Sequence, residues 1–155
     1  MQRLFRLISF FSFKQIYTKG NPLNEIIEGL WIGDWQDTIF EDTLEKMGFS
    51  SVLCVVPHHH APPEMRKEYR KLKVMHWHYE ERKEIEIEPP LNFIDQGLQE
   101  GHVLVHCGAG IDRSPTVVMM YLIRKKRMAL DEAVNLIQER RKIAMPHPDQ
   151  VKQWL

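Results

Sequence analysis

The chain has 155 residues, enough for one domain with a real core, and its 43% hydrophobic and 27% charged content is that of an ordinary globular protein. Its 21 lysines and arginines equal its 21 aspartates and glutamates, which argues against a uniformly basic surface for nucleic acid and leaves room only for a local patch. Two cysteines, Cys54 and Cys107, are too few for a disulfide-stapled secreted scaffold and fit a reducing, cytoplasmic setting, and no apolar run reaches the roughly 18 residues that a spanning helix needs.

In chain order, residues 1–23 form a basic, apolar segment carrying Arg3, Arg6, Lys14 and Lys19 and no acid. It reads either as a peripheral membrane anchor through residues 1–19, or a targeting peptide, or as an extra element packed on the domain. The lack of a clear period favours the packed element. No small-x-small cleavage site follows, which argues against a secretory signal. Residues 24–155 are expected to form one domain. IIEGLWIG, residues 26–33, reads as a strand pair turning at Gly29. Asp37 or Thr38 opens a helix over about 38–47, stopped by Gly48. SVLCVV, 51–56, is a buried strand ended by Pro57. PHHHAPP reads as a loop, EMRKEYRKL as a short polar helix and KVMHWHY, 73–79, as a strand. After a charged stretch, Pro89 and Pro90 open a helix through Leu98. HVLVH, 102–106, is a second buried strand. Pro115 marks the start of a helix continuing through TVVMMYLIRKKR, and DEAVNLIQERRK forms another, with acids in its first turn and bases in its last. Pro146 and Pro148 break it before a final turn, DQVKQWL. Alternating strands and helices predict an α/β domain with a central, mostly parallel sheet flanked by helices.

The stretch that says most about chemistry is VLVHCGAGIDRSPT, 103–116. Cys107 ends a buried strand, and in a parallel sheet ligands sit at the carboxyl ends of strands. The loop Gly108, Ala109, Gly110, Ile111 and Asp112 is built largely of small residues that let backbone N–H groups turn inward. Together with the following helix N-terminus they make a cradle for a doubly charged anion. The same field favours a thiolate over a thiol, which makes Cys107 a nucleophile. Arg113 offers a planar, permanently charged fork that matches two phosphate oxygens. The Ser114 hydroxyl reaches back to the sulfur and stabilises it as a leaving group.

H-C-x5-R-S is the signature of cysteine-based protein phosphatases, and the chain resembles the dual-specificity phosphatases over about residues 24–155. NEIIEGLWIGDWQDT, GFSSVLCVV, FIDQGLQEGHVLVHCGAGIDRSPTVVMMYLI and ERRKIAMPHPDQVKQWL carry the likeness in the family's order. The resemblance implies two steps, in which Cys107 takes the phosphoryl group and water then releases it, with no cofactor and no metal. It gives His106 a supporting role at the loop, and it implies a phosphorylated protein as substrate, through phosphotyrosine and phosphoserine or phosphothreonine.

One departure from the family is plain. The family places an aspartate general acid on a loop about thirty residues before the cysteine, but no aspartate occurs between Asp42 and Asp95. The loop reads YEERKEIEIEPP, and aligning the strands puts Glu81 at the acid position, with Glu80 and Glu84 beside it. Asp112 is the second candidate, because myotubularin-like and some bacterial lipid phosphatases are similar in carrying Asp just before the signature arginine. The loop holds no lysine, which argues against a highly phosphorylated inositide. Cys54, on the neighbouring strand, is either a redox partner of Cys107, as in some relatives, or a small buried hydrophobe. His58, His59, His60, His76 and His78 suggest a metal, but three consecutive histidines between prolines fit a loop that touches substrate better. The alternatives to a protein phosphatase are a phosphatase for a phospholipid, sugar or RNA 5′ phosphate, and a phosphate-binding module without turnover.

Overall fold

The apolar runs become the middle of one sheet. In the computed structural model, which describes residues 15–16, 22–36, 41–56, 69–79 and 86–155, the strands are β1 (Gln15–Ile16), β2 (Leu23–Ile27), β3 (Leu30–Gly33), β4 (Phe49–Cys54), β5 (Lys73–His76) and β6 (His102–His106). The helices are α1 (Glu41–Lys46), α2 (Glu88–Glu100), α3 (Arg113–Arg124), α4 (Leu130–Arg140) and α5 (Pro148–Val151), followed by a 3-10 turn over Lys152–Trp154. The sheet runs β1-β2-β3-β6-β4-β5. β2 and β3 form an antiparallel hairpin, turned through Gly29 at φ +81°, where a side chain would be strained. From β3 to β5 every pairing is parallel. This is the mostly parallel, helix-flanked α/β sheet that the alternating pattern predicts.

Strand β6 lies in the centre, and Val103, Leu104 and Val105 are fully buried, as expected for a strand covered on both faces. Alternation along the strands divides the core in two. Leu104, Trp31 and Val52 join Leu23, Leu44, Phe49 and Leu72 on the side covered by α1. Val103, Val105, Leu30, Ile32 and Leu53 face the other way, against Leu91 and Ile94 of α2 and the run Val117–Leu122 of α3. The register pairs Gly33 and Cys54 with His106 from either side. The carboxyl ends of β3, β4 and β6 therefore open at one level, with Cys107 directly beyond the middle one.

Several boundaries differ from the expectations. β4 begins at Phe49 and its ladder ends at Cys54, leaving Val55 and Val56 buried beyond it. β5 stops at His76 rather than Tyr79. Trp77 still donates to the Cys54 carbonyl at 2.9 Å, but Trp77 and Tyr79 then turn into an aromatic cluster with Trp154. Helix α3 starts two residues before Pro115, which costs little because first-turn N–H groups have no partner within the helix. It ends at Arg124, short of the expected Arg127, which sits at φ +59°. Residues 69–72, expected to end a helix, are irregular. The rest of that helix, the histidines 58–60, the expected helix start at Asp37 or Thr38 and the glutamates 80, 81 and 84 lie outside the described residues. No described helix is long and apolar enough to cross a membrane.

Candidate active site

Strand β6 delivers Cys107 to the carboxyl edge of the sheet, where it is almost fully covered at 4% exposure. The chain then makes a tight loop through 108–112 and enters α3 at Arg113. The loop closes on itself: Cys107 Sγ and Ser114 Oγ are 3.2 Å apart, and Ser114 is fully buried.

The carbonyls of the loop explain its shape. Trp35 N donates to Gly108 O at 3.2 Å and Met145 N to Ile111 O at 2.7 Å. Arg141 donates from Nε to Gly110 O at 2.7 Å and from Nη2 to Ala109 O at 3.3 Å. Asp112 O accepts from Thr116 N at 3.1 Å and from Thr116 Oγ1 at 2.7 Å. All five carbonyls from Gly108 to Asp112 are thus taken up by the surrounding protein. In a trans peptide the N–H points opposite to the C=O of the same plane, and the chain has no cis bond among the described residues. Five outward carbonyls therefore turn the amides of residues 109–113 towards the hollow of the loop. Gly110, at φ +66°, is indispensable to this path, since a Cβ there would meet the Gly33 carbonyl and the Arg141 guanidinium. Inward amides and the N-terminus of α3 together favour an anion beside the Cys107 sulfur, and Arg113 is the first residue of that helix.

The supporting residues come from three directions. His106 is buried, and its Nδ1 lies 3.2 Å from the Cys107 carbonyl, which accepts its proton. Burial holds this imidazole down to about 4, with His76 pushing the same way and the Cys107 carbonyl and Asp34 opposing. It is therefore neutral at ordinary pH and serves as a fixed donor. Cys54, paired in register with His106, has its thiol pushed up to about 11, chiefly by burial. A thiol so raised stays protonated at neutral pH. Tyr79 lies near Cys107, Asp112 and Arg113; burial raises its hydroxyl most, and a hydrogen bond with Thr116 and then the Arg113 charge partly offset that.

Asp112 caps the start of α3 without a side-chain bond to the helix. Its carboxylate instead engages Nε2 of His147, on the segment before α5. Three contributors carried no signal on their own in the sequence. Arg141 reads there as the basic end of an amphipathic helix, His147 as part of a proline-flanked break, and Tyr79 as the last residue of a strand.

The chain matches the sequence model of the family described as "Dual specificity phosphatase, catalytic domain" over residues 30–155. It is 33% identical over 139 residues to Dual specificity protein phosphatase 1B of Arabidopsis thaliana, an alignment covering 86% of this chain and 80% of that protein. With Dual specificity protein phosphatase 2 of Mus musculus it shares 34% identity over 140 residues, 85% of this chain but only 41% of the mouse protein. Among solved structures, the human tyrosine phosphatase-like serine/threonine/tyrosine-interacting protein superposes with a TM-score of 0.71 at 27% identity, covering 85% of this chain and 92% of that one. Human DUSP28 superposes with a TM-score of 0.72 over 91% of this chain and 96% of its own, and at 18% identity it speaks for the fold. With a cysteine, an inward-facing amide cradle and an arginine in the order of that family's signature, the chain belongs to the dual specificity phosphatases of the cysteine-based protein tyrosine phosphatase superfamily.

Proposed function

We propose that this protein hydrolyses phosphomonoesters on tyrosine and on serine or threonine of phosphorylated proteins, through a cysteinyl-phosphate intermediate. The observation that supports this best is the cradle itself: five loop carbonyls bound from outside, with the loop amides left to face a dianion above Cys107. The sulfur attacks phosphorus while the amides and Arg113 hold the equatorial oxygens and follow the charge as it shifts. Ser114, 3.2 Å from the sulfur, stabilises it when it leaves in the second step. His106 holds the strand end at the Cys107 carbonyl and takes no part in proton transfer. The leaving oxygen is protonated by a carboxyl group, that of Asp112 or that of Glu81. The absence of lysine from the cradle, and the carboxylate of Asp112, favour a single phosphate over a polyphosphorylated headgroup.

The test is a substrate panel with the Cys107→Ser variant as control. Phosphotyrosine and phosphothreonine peptides and an aryl phosphate are expected to be hydrolysed by the wild type, with turnover lost in Cys107→Ser. Hydrolysis confined to phosphoinositides or RNA 5′ phosphates would overturn the protein-substrate reading, and phosphate binding without turnover would overturn the enzyme reading.

A further inference from the structure

Asp112 and His147 stand 35 positions apart in sequence and meet at the lip of the cradle, carboxylate to Nε2. The imidazole is set there by its backbone. His147 N donates to Thr116 Oγ1 at 2.9 Å, and Thr116 Oγ1 donates to the Asp112 carbonyl at 2.7 Å. Two residues earlier, Met145 N bonds the Ile111 carbonyl at 2.7 Å. Pro146 and Pro148 on either side restrict the chain further. The segment is thus already fastened to the cradle and to α3 by backbone bonds. A third, solvent-exposed link between side chains adds little stability, so holding the fold together does not account for the pair.

The chemistry of the position does. A lone carboxylate beside Arg113 opposes the incoming phosphate dianion, and an imidazole proton offsets that charge. The Asp112 side chain is 58% exposed and that of His147 38%, open enough to exchange protons with water. Among the described residues, Tyr79 lies within electrostatic reach of Asp112, Arg113 and Cys107, and Asp149 follows His147 by two positions.

Building on the phosphatase reading, we propose that Asp112 is the proton donor to the leaving oxygen and that His147 is its positioning residue, the two side chains carrying one transferable proton between them. In the first step the sulfur–phosphorus bond forms, the bond from phosphorus to the ester oxygen breaks, and the Asp112 proton goes to that oxygen, leaving a carboxylate beside the imidazole. In the second step water attacks phosphorus and the sulfur departs as thiolate. One water proton returns to Asp112, and the product is hydrogen phosphate. His147 holds the carboxyl at the lip and exchanges its proton with solvent between turnovers.

The experiment measures kcat/KM against pH for the wild type, Asp112→Asn, His147→Asn and Glu81→Gln. Substrates run from aryl phosphates with acidic phenols to a phosphoserine peptide, and thermal melts are taken alongside. In Asp112→Asn and His147→Asn, the loss is expected to be a few-fold for the most acidic phenol and on the order of a hundredfold for the alkyl ester. The alkaline limb of the pH profile should disappear in Asp112→Asn and be displaced in His147→Asn, at unchanged melting temperature. A purely structural brace would lower the melting temperature and slow all substrates alike, which would overturn the proposal. So would a wild-type leaving-group dependence in both variants, with Glu81→Gln steepening it instead. If the wild type itself shows no Cys107-dependent turnover on the most activated substrate, it is the phosphatase reading that fails.

Discussion

The Arg141 guanidinium donates its Nε proton to the carbonyl of Gly110 at 2.7 Å, from a side chain that is 1% exposed. Through Nη1 the same group reaches Pro22 O at 2.6 Å and Asn24 Oδ1 at 2.8 Å, ahead of and within β2. One buried fork thus ties the cradle to the far strand of the hairpin. A lysine presents a single point of donation and cannot span both sides. Arg141→Lys is therefore expected to lose about 2–4 kcal/mol of stability, because carbonyls are left buried and unpaired. Inhibition by inorganic phosphate should weaken with it, as the loop amides lose their fixed direction. Urea unfolding and competitive inhibition against an aryl phosphate measure the two effects. A variant within about 0.5 kcal/mol of wild type, with unchanged phosphate inhibition, would show that the loop holds its shape unaided.

Ser114 makes a different prediction, because its hydroxyl lies 3.2 Å from the Cys107 sulfur. Sulfur gains negative charge when the sulfur–phosphorus bond breaks, and a hydrogen bond to a charged group is worth about 1.5–3 kcal/mol. Ser114→Ala should slow phosphoenzyme hydrolysis by roughly tenfold to a hundredfold while leaving the first step nearly intact. Rapid mixing with an activated aryl phosphate should then reveal a burst of phenol followed by a slow steady state. A rate lowered without a burst would place the effect in the first step and count against this role.

The parts of this protein that follow from local pattern were legible in its sequence. β6 is a continuous apolar run, and it lies buried on both faces between β3 and β4. The glycines and the short spacing between Cys107 and Arg113 mark out the tight loop that leads into α3, with Asp112 as an unexpected charge within it. What could not be read was the set of residues that hold the loop from a distance. Arg141 joins Gly110 across 31 positions and Asn24 across 117, and no periodicity encodes such a meeting. In sequence its basic character is explained equally well by the helix dipole, which prefers cations at a helix end. His147 was hidden in the same way, because a histidine between two prolines reads as a break. The early end of β5 has a tertiary cause too, since Trp77 and Tyr79 pack with Trp154 from the far end of the chain.

His106 predicts how the fold responds to acid. Its imidazole is held down to about 4 in the folded protein, chiefly by burial, against about 6.5 in an unfolded chain. Between those values the unfolded state binds a proton that the folded state refuses, so stability rises with pH across that window. Lowering the pH from about 7 should therefore remove stability progressively, up to about 3 kcal/mol by pH 4, below which both states carry the proton. Carboxylates also titrate near the bottom of this range, and a variant separates their share. His106→Asn keeps a donor for the Cys107 carbonyl but has no proton to gain. Urea unfolding at several pH values between about 4.5 and 7 should give a flatter profile for His106→Asn than for the wild type, with the gap between them narrowing towards acid pH. Parallel profiles would mean that the imidazole charges inside the folded protein as easily as outside it, and that its burial does not govern this limb.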